Sequence, residues 1–226
     1  MAGRTKERDS AVGMDESIDP VVDLPGHVPS RGRAYLYVLP CRNDSLLKLG
    51  FSRDPLSRLE TLHPRYYEFF DLEAAFLVET DRVSDARRLE SRLGKSLDLH
   101  SAPAPLVVPR SAAGHTEWYR GALDELTEQG FRLSEQGYFV HKPATAWLRS
   151  RLLERAGQLF AWSANLHATL TAVQGLDTAQ QRSHPLLWPL RHALDAYGAL
   201  DLSAERWISP AVWEWYQQHR RDVPAG

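Results

Sequence analysis

With 226 residues, 43% of them hydrophobic, the chain is long enough for one large or two small domains around a sizeable core. Charged residues make up 25% with both signs mixed, and the net charge is −2. This excludes a wholly disordered chain and a basic surface that coats nucleic acid, but not a local basic groove. The single cysteine, Cys41, excludes an internal disulfide, no apolar run reaches membrane-spanning length, and the N-terminus lacks a signal-peptide core. The expectation is a reducing, cytoplasmic setting without membrane contact.

Residues 1–33 mix Gly, Ser, Pro and both charges without periodicity and predict a flexible arm. The stretch AYLYVLPCRNDSLLKLG, from Ala34 to Gly50, predicts two strands joined by a polar turn at Arg42–Ser45. Alternation sets Tyr35, Tyr37 and Leu39 on one face and Leu36 and Val38 on the other, with Lys48 opposite Leu47 and Leu49. A lysine alone in a strand is ordinarily a solvated edge charge. A short helix follows over 54–63, with Asp54 as N-cap, Pro55 at its first position and Leu56, Leu59 and Leu62 facing a core. Arg58 lies to the side of that stripe, and His63 ends the helix as a core or cap histidine.

Residues 72–80 read as a third, buried strand. Ser84 then caps a helix to about Leu97, with Ala86, Leu89, Leu93 and Leu97 inward. Glu90 falls at the margin of that face, held by packing yet able to reach solvent. Arg87, Arg88, Arg92 and Lys95 make the helix locally basic, which is either a mixed-charge solvated face or a set of phosphate contacts. A Pro/Ala loop covers 101–114, HTEWYRG brings a short strand or turn, and a helix from Ala122 is expected to stop at Gly130 before a hairpin turning at Glu135–Gly137. From Ala144 to Gln174 the apolar spacing predicts one long amphipathic helix, stopped by Gly175. Helices near 188–199 and 210–221 follow, the last capped by Ser209 with Pro210 at its first position. Six of the seven tryptophans lie after residue 146, which favours an aromatic-rich helical core or partner groove there.

No CxxC, HExxH, GxSxG or glycine-rich phosphate loop is present. What stands out is an ordered series: Tyr37, then Lys48-Leu49-Gly50 after ten intervening residues, Arg58 one turn into the next helix, Glu90 in ARRLESRL, and Glu117-Trp118-Tyr119. This series resembles the GIY-YIG nuclease family in its lysine-led phage and bacterial branch, over about residues 34–120. The first motif lacks its glycine, and Gly94 stands where that branch often carries a histidine four residues after the glutamate; His100 and His115 are candidates to compensate.

The resemblance implies a metal-dependent DNA endonuclease using Mg²⁺ or Mn²⁺. Glu90 would hold the metal, Arg58 the phosphate, and Tyr37 with Lys48 would activate water, while His63, Arg87, Arg88 and Arg92 would bind substrate. The expected fold is α+β: a small three-stranded antiparallel sheet flanked by helices, followed by an all-helical C-terminal region. The expected division is an arm over 1–33, a nuclease domain over 34–141 and a helical accessory domain over 142–226. DNA is the expected partner, with a protein partner or self-association through the C-terminal helices beside it. The competing readings are a nuclease-like domain that binds nucleic acid or protein without cutting, and a scaffold that binds no nucleic acid, which the near-neutral charge favours.

Overall fold

The computed structural model describes residues 32–112, 116–172 and 187–219. The expected N-terminal arm up to residue 31, His115 and the expected helix stop at Gly175 lie outside these residues. Two strands, β1 (Ala34–Pro40) and β2 (Leu46–Ser52), form the expected hairpin. Helix α1 (Pro55–Leu62) starts where the Asp54 carboxylate accepts from the Ser57 backbone N–H at 3.2 Å. A single turn, α2 (Tyr66–Phe69), leads to β3 (Phe76–Thr80), and α3 (Val83–Ser96) crosses back over the sheet.

The sheet has five strands, not three, and all its pairings are antiparallel in the order β4-β2-β1-β3-β5. The additional strands are β4 (Trp118–Arg120), which pairs with β2, and β5 (Val140–His141), which pairs with β3. Runs of three and two residues are too short to show alternation, so only their partners make them strands. Their addition moves β2 off the edge.

The helix α4 (Leu123–Glu135) continues through Gly130 rather than stopping there, and no hairpin forms at Glu135–Gly137. Gly130 serves a close approach: a Cβ there would meet Phe76 Cε2 at 2.9 Å. The predicted long helix is two, α5 (Ala144–Glu154) and α6 (Ala156–Ala172), parted at Arg155. Helices α7 (Leu187–Ala199) and α8 (Pro210–His219) complete the described chain.

Alternation in β1 divides the core into two layers. Leu36, Val38, Leu47, Leu49, Phe76 and Val78 pack under α3 and α4. Tyr35, Tyr37, Leu39 and Leu77 pack under α1, α2 and the C-terminal helices, which contribute Trp147, Leu148, Leu190 and Val212 to that same cluster. Arg155 joins the two parts of the chain on the α1 side, donating to the Asp54 carboxylate at 2.6 Å with Glu60 at 3.5 Å.

Candidate active site

Gly50 lies directly across the ladder from Tyr37, and the tyrosine ring covers it. A Cβ at position 50 would stand 2.4 Å from the Tyr37 hydroxyl and 2.6 Å from Cζ. The glycine that ends the second motif is therefore there for close approach, not for an unusual backbone angle. It lets the Tyr37 ring lie flat against the strand with its hydroxyl pointed along the sheet toward α1.

Arg58 reaches that hydroxyl from α1. Its Nε donates to the Tyr37 oxygen at 3.3 Å, and its Nη1 donates to the backbone carbonyl of Ala112. Ala112 ends a strap that leaves β4's neighbourhood at Ser101, where Ala102 N–H donates to the Trp118 carbonyl at 2.9 Å. The strap is fastened by two small apolar side chains, Val108 and Ala112, in the same cluster as Tyr37, while Leu106 and Val107 face solvent. Tyr37 is consequently only 2% exposed.

Lys48 is 1% exposed, not a solvated edge charge. With β4 beside it, β2 is an inner strand, and the ammonium lies 5.8 Å from the centre of the Trp118 ring. Its charge is met by Glu117, whose Oε2 accepts from Nζ at 2.7 Å, while the Thr116 hydroxyl donates to Oε1 at 2.5 Å. Burial works to raise the Glu117 carboxyl, but these two hydrogen bonds bring it below the usual carboxylate range. Burial likewise pulls the Lys48 ammonium down, against the hold of Glu117.

Glu90, on α3, is half-buried. Burial pushes its carboxyl up, the charge of Glu117 adds to this, and Lys48 and Arg87 oppose it. The Tyr37 phenol is raised by burial and lowered by Arg58, with Glu117 and Glu90 adding to the rise. The groups that act on one another are thus the same five: Tyr37, Lys48, Arg58, Glu90 and Glu117. Four were visible in the sequence. Glu117 was visible only as part of a signature, since nothing in the chain tells that position 117 meets position 48.

A further neighbour is Tyr119, two residues along β4. A Cβ at Gly94 would lie 2.9 Å from its hydroxyl. That hydroxyl occupies the space beside α3 where the resemblance leads one to look for a histidine. Burial raises the Tyr119 phenol, and Glu117 and Glu90 raise it further.

Other expected contributors stand apart. His63 caps α1, accepts at Nδ1 from the Arg65 backbone N–H at 3.1 Å and stacks on Phe69 with ring centres 4.6 Å apart. Burial lowers its imidazole, and the charges around it are Arg65 and Glu68 rather than those of the cluster. His100 lies with Nδ1 2.8 Å from the Arg120 carbonyl and Nε2 4.0 Å from Glu125, so it does not replace the missing histidine. Arg87, Arg88 and Arg92 line an open depression on the outward face of α3 with Ser84, Ser91 and Lys95. Arg87 sits 5.5 Å over the Phe51 ring and is the arginine nearest in charge to Glu90.

The donor set can be tested against a metal ion. Among the described residues no group of three or more His, Cys, Asp or Glu side chains is placed to cage one, which does not suit a closed zinc site. Glu90 accepts no hydrogen bond and makes no ion pair among the described residues, and a second carboxylate stands near it. One half-buried carboxylate with no hydrogen bond among the described residues fits a hard cation that keeps most of its hydration shell.

No helix among the described residues is long and apolar enough to cross a membrane. No curated protein and no solved structure matches the chain. The T5orf172 family is associated with GIY-YIG and nuclease-like phage domains, although no GIY-YIG model itself matches, and it suggests a nuclease-like or DNA-binding module. Residues 34–133, from the first residue of β1 into the last turn of α4, match the family model of the T5orf172 domain and are similar to that family over this stretch.

Proposed function

We propose that this segment is a metal-dependent nuclease domain that hydrolyses DNA phosphodiester bonds, with Mg²⁺ or Mn²⁺ held at Glu90. The observation that carries the reading is convergence: Arg58 donates to the Tyr37 hydroxyl, Lys48 pairs with Glu117, and Glu90 stands close enough for its charge to act on Tyr37, Lys48 and Glu117. When bound, the cation would polarise the phosphate and steady the leaving oxygen. Arg58 supplies a planar fork for phosphate oxygens, and its link to Tyr37 fixes the orientation of both. Lys48 and Arg58 set positive potential where negative charge develops, in a site largely closed to water. Tyr37 accepts from Arg58 and keeps its own proton, which burial holds on the ring, so it serves as a proton relay for the attacking water rather than as a standing base. The basic face of α3 would carry the DNA backbone past Glu90.

The test is Mg²⁺-dependent cleavage of plasmid DNA. Glu90→Ala or Arg58→Ala should abolish cutting, and undiminished cutting by either variant would sink the assignment. One observation favours a second reading, binding without cutting: the strap occupies Arg58 through the Ala112 carbonyl and seals Tyr37. Exposed Phe160, Trp162 and Trp188 on the C-terminal helices would then offer a protein-binding face. A divalent-ion titration separates the two, since DNA affinity without turnover at any Mg²⁺ or Mn²⁺ concentration supports only the second.

A further inference from the structure

Gly94 is costly where it stands. It sits inside α3, two residues before the helix ends at Ser96, and glycine in a helix interior is about 1 kcal/mol less favourable than alanine. A left-handed dihedral does not explain it, because Gly94 is absent from the positive-φ positions of the described chain. Its one close neighbour is a polar atom: the Tyr119 hydroxyl, 2.9 Å from where a Cβ would be, with the ring carbon behind it at 4.0 Å. The helix thus gives up a side chain to admit an oxygen.

That oxygen is unspent. The Tyr119 hydroxyl makes no hydrogen bond among the described residues, yet it is not one of the buried polar atoms left without a partner. It therefore reaches water. Four residues along a helix bring side chains to the same flank, so Glu90 and Gly94 share one, and the hydroxyl that covers Gly94 comes up beside Glu90. Glu90 is likewise unengaged. Two polar groups, a hydroxyl that can donate and a half-buried carboxylate, thus stand on one flank of α3, with Glu117 just before the strand that carries Tyr119.

We infer that Tyr119 is a positioning residue for the cation at Glu90: its hydroxyl donates to a water of the ion's hydration shell, and Gly94 exists to make room for it. The inference rests on the proposed Glu90 metal site and names a residue that completes it. Removing such an outer-shell partner typically lowers metal affinity or activity by 10–100-fold. Tyr119→Phe deletes only the hydroxyl and keeps the ring that packs in the core. Gly94→Ala leaves the hydroxyl in place chemically but pushes it aside.

The experiment is Mn²⁺ binding to the full chain without DNA, followed by electron paramagnetic resonance, with melting temperature and plasmid cleavage recorded on the same samples. Wild-type protein should bind the ion, and Glu90→Gln should abolish binding. Tyr119→Phe and Gly94→Ala should each weaken it by about 10–100-fold without lowering the melting temperature in step. Affinity unchanged in Tyr119→Phe overturns the inference, as does a wild-type protein that binds no ion at Glu90. If the ion binds as expected and DNA is never cut, the nuclease reading fails and the role of Tyr119 stands. If DNA is cut while Tyr119→Phe binds Mn²⁺ like wild type, the inference fails and the nuclease reading stands.

Discussion

An alanine at position 50 adds one methyl group to a place where the structure has no room for it. The new Cβ would lie 2.4, 2.6 and 2.8 Å from three atoms of the Tyr37 ring. Ordinary contact begins at 3.4 Å, so the ring must retreat by about 1 Å, inside a packed core where insertions of this size cost about 1–3 kcal/mol. Replacing a strand glycine returns about 0.5–1 kcal/mol. The net loss is about 1–2 kcal/mol, which for a chain of this length lowers the melting temperature by about 2–8 °C. The effect on chemistry should exceed the effect on stability. A ring shifted by that distance loses the 3.3 Å bond from Arg58, and misplacement of about 1 Å at a reacting centre can cost about 100-fold in rate. The assay pairs calorimetry with single-turnover plasmid cleavage, with Gly198→Ala as control because an added Cβ there meets nothing within 4 Å. That control should be neutral or slightly stabilising. If Gly50→Ala melts with the parent and cuts at its rate, Gly50 is not what seats Tyr37, and the reasoning from close approach is wrong.

Glu117→Gln should destabilise more than Lys48→Met, as read by urea denaturation. The first removes the carboxylate that meets an ammonium 1% exposed, while the second leaves a carboxylate that is 33% exposed and able to hydrate; taking the partner from a buried charge costs about 3–5 kcal/mol. Because the folded Glu117 carboxyl lies below its unfolded value, the stability it contributes is present above the unfolded value and is lost as pH falls through the folded one, in the acid range. Glu90 has the opposite sign: its raised carboxyl favours the folded state at low pH, and that contribution disappears as pH rises through the raised value. Glu90→Gln should therefore raise the melting temperature at neutral pH. A neutral-pH melting temperature below that of the parent would contradict this. Gly130→Ala should destabilise by about 1 kcal/mol although it improves helix propensity, because Cβ meets Phe76 at 2.9 Å; a gain in melting temperature would refute the packing account.

The hairpin, α1 and α3 were legible because each carries its own local signal: alternation in Tyr35–Leu39, a capping Asp54, a leucine stripe in α3. What was not legible depends on partners far along the chain. β4 and β5 have no pattern of their own and exist only against β2 and β3. Lys48 reads as an edge charge until β4 covers it. Gly130 reads as a helix stop because glycine usually is one, and only Phe76 explains why the helix runs on. The spacing over 144–174 gave no sign of the break at Arg155, which the structure ties to Asp54 and Glu60, about 100 residues back. For the site, residue types and order were readable in Tyr37, Lys48, Arg58 and Glu90, but depth was not. That Tyr37 and Lys48 lie almost wholly out of water while Glu90 does not is a property of the layers above them.

On the proposed reading, this difference in depth would order events at the site. Glu90 is half-buried and the arginines of α3 line an open depression, so on the proposed reading a cation and a DNA backbone would meet these groups first. Arg58 already donates to the Tyr37 hydroxyl and the Ala112 carbonyl, so a phosphate would meet its other N–H groups or take the place of that carbonyl. Giving up a hydrogen bond to a charged group costs about 1.5–3 kcal/mol, and a bidentate guanidinium–phosphate contact is stronger than the bond it replaces. An exchange of the Ala112 carbonyl for a phosphate would therefore be favourable where a phosphate lies close. The strap carries that carbonyl on a segment held in the core by Val108 and Ala112, with Ala102 and Ala104 packed against it, while Leu106 and Val107 lie outside. If the site cuts DNA as proposed, its phenol lies out of water and its carboxylate near the surface, so the cation would bind before the buried groups meet a phosphate.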